Sequence, residues 1–166
     1  QIHRGTKEGS VTEVGNQNFL LGLTHVAHNC KIGNSIIMAN GSILAGHVHV
    51  EDSVFISGTC IVHQFVRVGK FAMMRGGSRV SLDIPPGCVA DETNAIRGLN
   101  TVGMERHGIS AQEIRAMKNA YRDVFSPEKT FAEAVDALLA QSPSPLVKHF
   151  LEFVKNSERG ICRPAK

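Results

Sequence analysis

A chain of 166 residues holds one domain, or a domain with an appendage, and is long enough to bury a core. Its 18 Lys and Arg against 15 Asp and Glu leave a formal charge of +3, too mild to argue for nucleic acid; aromatics at 5%, with no Trp, offer few platforms for stacking single strands. Four cysteines without metal spacing or a disulfide framework fit a reducing, cytoplasmic setting, and no apolar run approaches the roughly 18 residues of a membrane span.

Residues 1–13 read as the end of an earlier coil followed by a loop through Gly5-Thr6-Lys7-Glu8-Gly9-Ser10. The sequence starts mid-pattern on Gln1, which suggests a fragment or processed chain whose earlier coils are absent. From Val14 an aliphatic residue then returns every sixth position: Leu20, Val26, Ile32, Met38, Leu44, Val50, Ile56, Val62, Val68, Met74 and Val80. Small or apolar residues such as Thr24, Cys30, Ile36, Ser42, Val48, Val54 and Cys60 hold the fifth place of the same frame, so two positions per hexad look inward. A period of six fits neither a helix nor a simple alternating strand. It fits a hexapeptide-repeat solenoid in which three hexads close a triangular coil, and coils stack at a strand spacing of about 4.8 Å. The predicted fold is therefore mainly β, a parallel β-helix over residues 1–87.

The repeat stops at Ile84-Pro85-Pro86-Gly87, where prolines lack the amide donors a paired strand needs. Residues 88–109 read as a connecting segment with a strand near Cys88 to Ala90. Residues 110–166 turn helical: Ser110 with Glu113, and Thr130 with Glu133, are capping-box signatures, and Ser144-Pro145 opens a third helix. About three helices are expected, the last stopping near Gly160.

Residues eighteen apart stack on one face, which puts His28, Gly46 and Gln64 in one column. His47 and His63 lie one place to either side and His25 close to the same corner. A histidine near neutral pKa can take a proton from a hydroxyl, and a glycine lets a ligand approach the backbone, whose amide can hold a developing oxyanion. Together these parts suit acyl transfer from a thioester to an alcohol. A solenoid has little concavity of its own, so a pocket calls for a second identical copy. Plainer readings stand beside these. A histidine on a solenoid edge can simply bind water, Asn29 can be a turn residue or can orient the imidazole, and Gly76 can serve turn geometry. Arg106 reads as a surface charge, and His49, His107 and His149 as solvated.

The strings Ile2-His3-Arg4-Gly5-Thr6, Thr24-His25-Val26-Ala27-His28-Asn29-Cys30, Leu44-Ala45-Gly46-His47-Val48, Val62-His63-Gln64-Phe65, Ile84-Pro85-Pro86, and Gly98-Leu99-Asn100 through Arg106-His107-Gly108 resemble the acyl-ACP:UDP-N-acetylglucosamine O-acyltransferase family of lipid A biosynthesis. The resemblance covers essentially the whole chain and extends to the tail Ser157-Glu158-Arg159-Gly160. It implies a left-handed coil, against the usual right-handed crossover, and a cytoplasmic homotrimer with sites between subunits. Acyl carrier protein would be the donor and UDP-N-acetylglucosamine the acceptor, with no cofactor, no metal and no nucleic acid.

By the same resemblance His28 is the general base for the sugar 3-hydroxyl. Asn29 takes the place of the residue that orients it, often Asp in the family, and the Gly46 amide holds the thioester oxygen. His25, His47, His63 and Gln64 contact substrate. Asn100 and Arg106 bind donor or nucleotide, His107 stands where a second Arg is frequent, and Gly76 leaves room for a longer 3-hydroxyacyl chain. Three alternatives accompany this reading: the sibling N-acyltransferase, a trimeric zinc enzyme of carbonic-anhydrase type with His25, His28 and His47 as ligands, and an inactive solenoid used for assembly.

Overall fold

The computed structural model describes residues 1–128 and 130–165. Twelve strands of two residues each form the three faces of a parallel β-helix. Face I stacks β1 (Glu13–Val14), β4 (Lys31–Ile32), β7 (His49–Val50) and β10 (Arg67–Val68). Face II stacks β2 (Phe19–Leu20), β5 (Ile37–Met38), β8 (Phe55–Ile56) and β11 (Met73–Met74), and face III β3 (His25–Val26), β6 (Ile43–Leu44), β9 (Ile61–Val62) and β12 (Arg79–Val80). Every pairing is parallel, with partners eighteen apart such as Ile43 and Ile61.

Hexads make this shape because two residues span a face and four turn the corner. The fourth residue of every hexad from Gln17 to Gly77 lies in the left-handed region: Gln17, Leu23, Asn29, Ser35, His47, Ser53, Thr59, Phe65 and Phe71 have φ between 55° and 65°, and Gly41 and Gly77 have φ of 71° and 75°. That conformation costs an L-residue about 1–2 kcal/mol, and burial of the hexad's two inward side chains offsets it. From Thr24 to Val80 every first-place and fifth-place residue is at most 6% exposed. Val14 and Leu20 depart from the pattern, at 38% exposed and half-buried, because β1 and β2 are the terminal strands of their sheets.

Below face III the spacing changes. Ile2 bridges Val26, twenty-four residues on instead of eighteen, so the lowest coil carries one extra hexad's worth of chain. The surplus is the loop around residues 5–10, closed by Ser10 Oγ donating to the Lys7 carbonyl at 2.8 Å and accepting the Lys7 N–H at 2.9 Å.

At the upper end the sheet of face II runs past the limit expected at residue 87. Strand β13 (Cys88–Asp91) pairs in parallel with β11, Met73 against Val89. Pro85 and Pro86 do not block it, because they fall in the turn before the strand, where no ladder amide is required. Strand β14 (Ala95–Leu99) returns antiparallel, and β15 (Arg163–Pro164) pairs with it in parallel.

Four helices follow among the described residues, one more than expected. The addition, α1 (Thr101–Arg106), is a short helix within the connecting segment, capped by the Asn100 side chain accepting Gly103 N–H at 3.0 Å. Helix α2 (Ala111–Val124) starts on Ser110, and α3 (Phe131–Leu139) on the reciprocal Thr130–Glu133 capping box. Helix α4 (Pro145–Lys155) starts on Ser144, whose hydroxyl donates to Glu113 at 3.0 Å instead of capping its own helix. It ends at Asn156, short of Gly160, because residues 157–160 are drawn to the solenoid. Ser157 Oγ donates to Asp83, Arg159 Nε to the Ser81 carbonyl, and the Gly160 carbonyl accepts Asp83 N–H. Two further contacts complete the clamp: Arg67, held on the buried Asp83 at 2.9 Å, donates Nη2–H to the Phe153 carbonyl at 2.9 Å, and His149 pairs with Glu51 at 2.7 Å.

Candidate functional site

The three corners of the solenoid are chemically different. Between faces III and I the third-place residues are His28, Gly46 and Gln64, followed in the left-handed place by Asn29, His47 and Phe65. Between faces I and II they are Asn16, Asn34, Asp52 and Lys70. Between faces II and III they are Gly22, Asn40, Gly58 and Gly76, with Gly41 and Gly77 beside them.

At the histidine corner a Cβ added to Gly46 would lie 2.5 Å from His28 Cε1 and 2.8 Å from Nε2. The imidazole therefore lies over position 46, and only glycine leaves it that space. No acceptor among the described residues meets the Gly46 N–H. His28 Nδ1 is 3.0 Å from Asn29 Oδ1, which also accepts the backbone N–H of Thr6 at 3.3 Å and the Thr6 hydroxyl at 3.1 Å. A backbone N–H can only donate, so the atom it meets is the amide oxygen, and His28 Nδ1 must carry the proton it shares with that oxygen. Nε2 is left with a free lone pair beside Gly46, the arrangement a general base requires. Asn29 thus fills both roles weighed for it: it turns the corner at φ 62° and holds the imidazole.

His47 meets the His28 ring edge-on at 5.3 Å and stacks on Phe65 at 4.6 Å. His25 faces His3 at 4.9 Å. Partial burial and the neighbouring His3 push its pKa below the ordinary value. His63 Nδ1 lies 3.3 Å from the Gln64 carbonyl and 3.3 Å from Arg159 Nη2. Among the described residues no group of three His, Cys, Asp or Glu side chains could hold a metal ion, so within one chain His25, His28 and His47 do not form the ligand set of the zinc alternative.

The remaining predicted residues lie elsewhere on the surface. Arg106 and His107 line a groove of about 430 Å³ against face II, with Ser35, Ile37, Phe55 and Met73. The Arg106 guanidinium has no hydrogen-bond or ion-pair partner among the described residues. Asn100 also borders the groove, but its amide is committed to capping α1 and to the Phe71 carbonyl at 2.9 Å. Gly76 sits on the third corner, where an added Cβ would meet only the Gly58 carbonyl at 3.7 Å. The chain's own packing therefore does not demand a glycine there. Thr6, Phe65 and Arg159 were not singled out from the sequence; the first could have been found by noticing that the loop around it lies directly below His28.

A stacked hexad helix with a paired imidazole on one corner and a docked helical tail defines a hexapeptide-repeat β-helix protein. The model of UDP-N-acetylglucosamine O-acyltransferase domain 2 matches residues 83–162. An acyl-[acyl-carrier-protein]–UDP-N-acetylglucosamine O-acyltransferase of Nautilia profundicola is 44% identical, over 96% of this chain and 62% of the relative. The Synechocystis relative of the same name is 40% identical, over 94% and 57%. Among solved structures, the UDP-N-acetylglucosamine acyltransferase of Arabidopsis superposes with a TM-score of 0.92 at 38% identity, over 97% of this chain and 60% of that one. That of Francisella novicida gives 0.90 at 34%, over 98% and 60%. The chain belongs to the UDP-N-acetylglucosamine O-acyltransferase family, has its left-handed β-helix, and spans about three fifths of the length of these relatives.

Proposed function

We propose that this chain carries the catalytic corner of an enzyme that moves an (R)-3-hydroxyacyl group from acyl carrier protein to the 3-hydroxyl of UDP-N-acetylglucosamine, the first step of lipid A biosynthesis. The observation that carries the reading is the His28–Asn29 pair over Gly46, with Nδ1 protonated and Nε2 free. Nε2 takes the proton of the sugar hydroxyl while its oxygen attacks the thioester carbonyl carbon. The Gly46 N–H stabilises the resulting oxyanion, the carbon–sulfur bond breaks, and the imidazolium returns its proton to the departing thiolate. His25, His47, His63 and Gln64 contact substrate around this centre, and Arg106 with His107 takes donor or nucleotide. The protein works in the cytoplasm; among the described residues no helix is long and apolar enough to cross a membrane.

The positions of these residues support a homotrimer. Arg106 lines the groove on face II, whereas His28 and Gly76 lie on two other corners of the chain. Faces II and III expose an apolar row, with Phe19 63%, Ile37 37%, Ile43 39% and Ile61 41% exposed, whereas face I presents Glu13, Lys31, His49 and Arg67. Face II of one copy against face III of the next would cover the apolar rows and bring the groove and the bare glycine corner towards a neighbour's histidines.

The test is His28→Ala in the intact protein, supplied with 3-hydroxyacyl carrier protein and UDP-N-acetylglucosamine. The turnover number should fall by about two to four orders of magnitude, the range for loss of a general base, while light scattering still reports three copies. An unchanged rate removes His28 from the mechanism, and a wild-type protein that acylates only an amine at the 3-position transfers the reading to the sibling reaction.

A further inference from the structure

Asn29 differs from a carboxylate in one consequential way: its two ends are chemically opposite. With Oδ1 toward His28, the imidazole carries its proton on Nδ1 and keeps Nε2 free. With the amide rotated by half a turn, the NH₂ group faces Nδ1, which must then accept, and the proton moves to Nε2. A ring protonated on Nε2 cannot take a proton from an alcohol beside Gly46. The productive state of the corner therefore depends on which end of one amide faces the ring, and something must hold that end in place.

The structure supplies a holder. Thr6 directs two donors, its N–H and its hydroxyl, at Asn29 Oδ1. A rotated amide would set its own N–H donors against the Thr6 N–H, which can only repel them. Asn29 is further fixed through its backbone, whose N–H donates to Thr12 Oγ1 at 2.8 Å. Thr6 itself is held from below. Gly5 is buried and packs so closely on Ser10 that an added Cβ would lie 2.1 Å from the Ser10 carbonyl oxygen, and Ser10 closes the loop through three bonds to Lys7, two from its hydroxyl and one from its backbone N–H. The extra hexad's worth of chain below face III thus places a rigid pair of donors under the catalytic corner.

We infer that Thr6 is a positioning residue: it fixes the orientation of the Asn29 amide and so sets the tautomer of His28. This rests on the proposed general-base role of His28 and specifies what makes that role available. Thr6→Val keeps the branched shape and the backbone N–H but deletes the hydroxyl donor. It should lower kcat about three- to tenfold, the usual effect of losing one net hydrogen bond, with KM nearly unchanged, and Thr6→Ser should restore the rate. Asn29→Asp provides the discriminating background, because a carboxylate offers oxygen at both ends and needs no orientation. There Thr6→Val should change kcat less than twofold. Equal losses in the two backgrounds, or no loss with Asn29 present, would overturn the inference.

Nitrogen-15 chemical shifts of the His28 ring provide a readout independent of activity. The wild-type ring should be protonated on Nδ1 and the Thr6→Val ring should show a mixture. A ring that stays on Nδ1 in the variant refutes positioning by the Thr6 hydroxyl, the group the variant deletes, whatever reaction the corner performs. A mixed ring in a protein without acyl transfer upholds the positioning and rejects the proposed function.

Discussion

Two corners of this solenoid solve the same backbone problem in opposite ways. Each turn leaves the N–H of its third residue pointing away from the ladder. Between faces I and II that group is capped by a neighbouring coil: Asn34 Oδ1 accepts Asn16 N–H at 2.8 Å, Asp52 Oδ1 accepts Asn34 N–H at 2.8 Å, and Glu51 Oε2 accepts Lys70 N–H at 2.7 Å. Between faces III and I the same group, at Gly46, meets no acceptor, and the side chain that arrives from the adjacent coil is an imidazole. One corner is finished internally and adds stability; the other keeps a donor and a base in reserve. Both need a glycine to admit the incoming side chain, Gly33 under Asp52 and Gly46 under His28.

That parallel can be broken by matched substitutions. In Gly46→Ala the new methyl would lie 2.5 Å from the His28 ring, which can swing outward into solvent. The fold should survive and kcat should drop about a hundredfold, as expected for a base displaced by about 1 Å; an activity near wild type would show that His28 does not work from its position over Gly46. Gly33→Ala should do the reverse. Its methyl would lie 2.6 Å from Asp52 Oδ1 and 3.0 Å from the Asp52 backbone nitrogen, a wall that cannot swing away. Overpacking of this kind costs about 1–3 kcal/mol, read as a lower midpoint in urea with kcat retained. Asp52→Ala should cost less, about 1 kcal/mol, because the freed Asn34 N–H is exposed to water; a loss of activity there would mean that the capped corner is not merely structural.

The smallest effect lies where the capped corner meets the helical tail. The hydrogen bond that His149 donates to Glu51 raises the His149 pKa above its ordinary 6.5. This contribution is complete below pH 6.5 and is lost as pH rises through the folded value. Burial alone would raise the Glu51 pKa, but the bonds from His149 and the Lys70 N–H outweigh it and hold the group below 4.5. That contribution is present above pH 4.5 and lost as pH falls through the folded value. Thermal melts should therefore be highest between these limits, and His149→Gln should flatten the alkaline side of the profile. Identical profiles would show that the pair does not fasten the tail.

Much of this was legible because a repeat of six converts position into place. The inward aliphatics, the column of His28, Gly46 and Gln64, the Ser110 cap and the Thr130–Glu133 capping box follow from spacing alone. What spacing missed lies where the repeat is interrupted. Ile2 sits twenty-four residues below Val26, so the added loop brings His3 to His25 and Thr6 to Asn29. The hidden strand β14 and helix α1 lie beyond the prolines, where no period guides the reading. The early end of α4 depends on Asp83, seventy-four residues before Ser157 and invisible to any local cap.

The way residues 160–164 are sewn into the upper rim bears on association between molecules. Asp83 exchanges backbone hydrogen bonds with Gly160 and Cys162, and β15 occupies the flank of β14. A stack of parallel strands is a template that can keep adding strands from other chains, and such rims are where fibres begin. Here the antiparallel return of β14 reverses the template and the tail lies along it. The same few residues that hold the helices in place therefore also protect the solenoid from polymerising end to end.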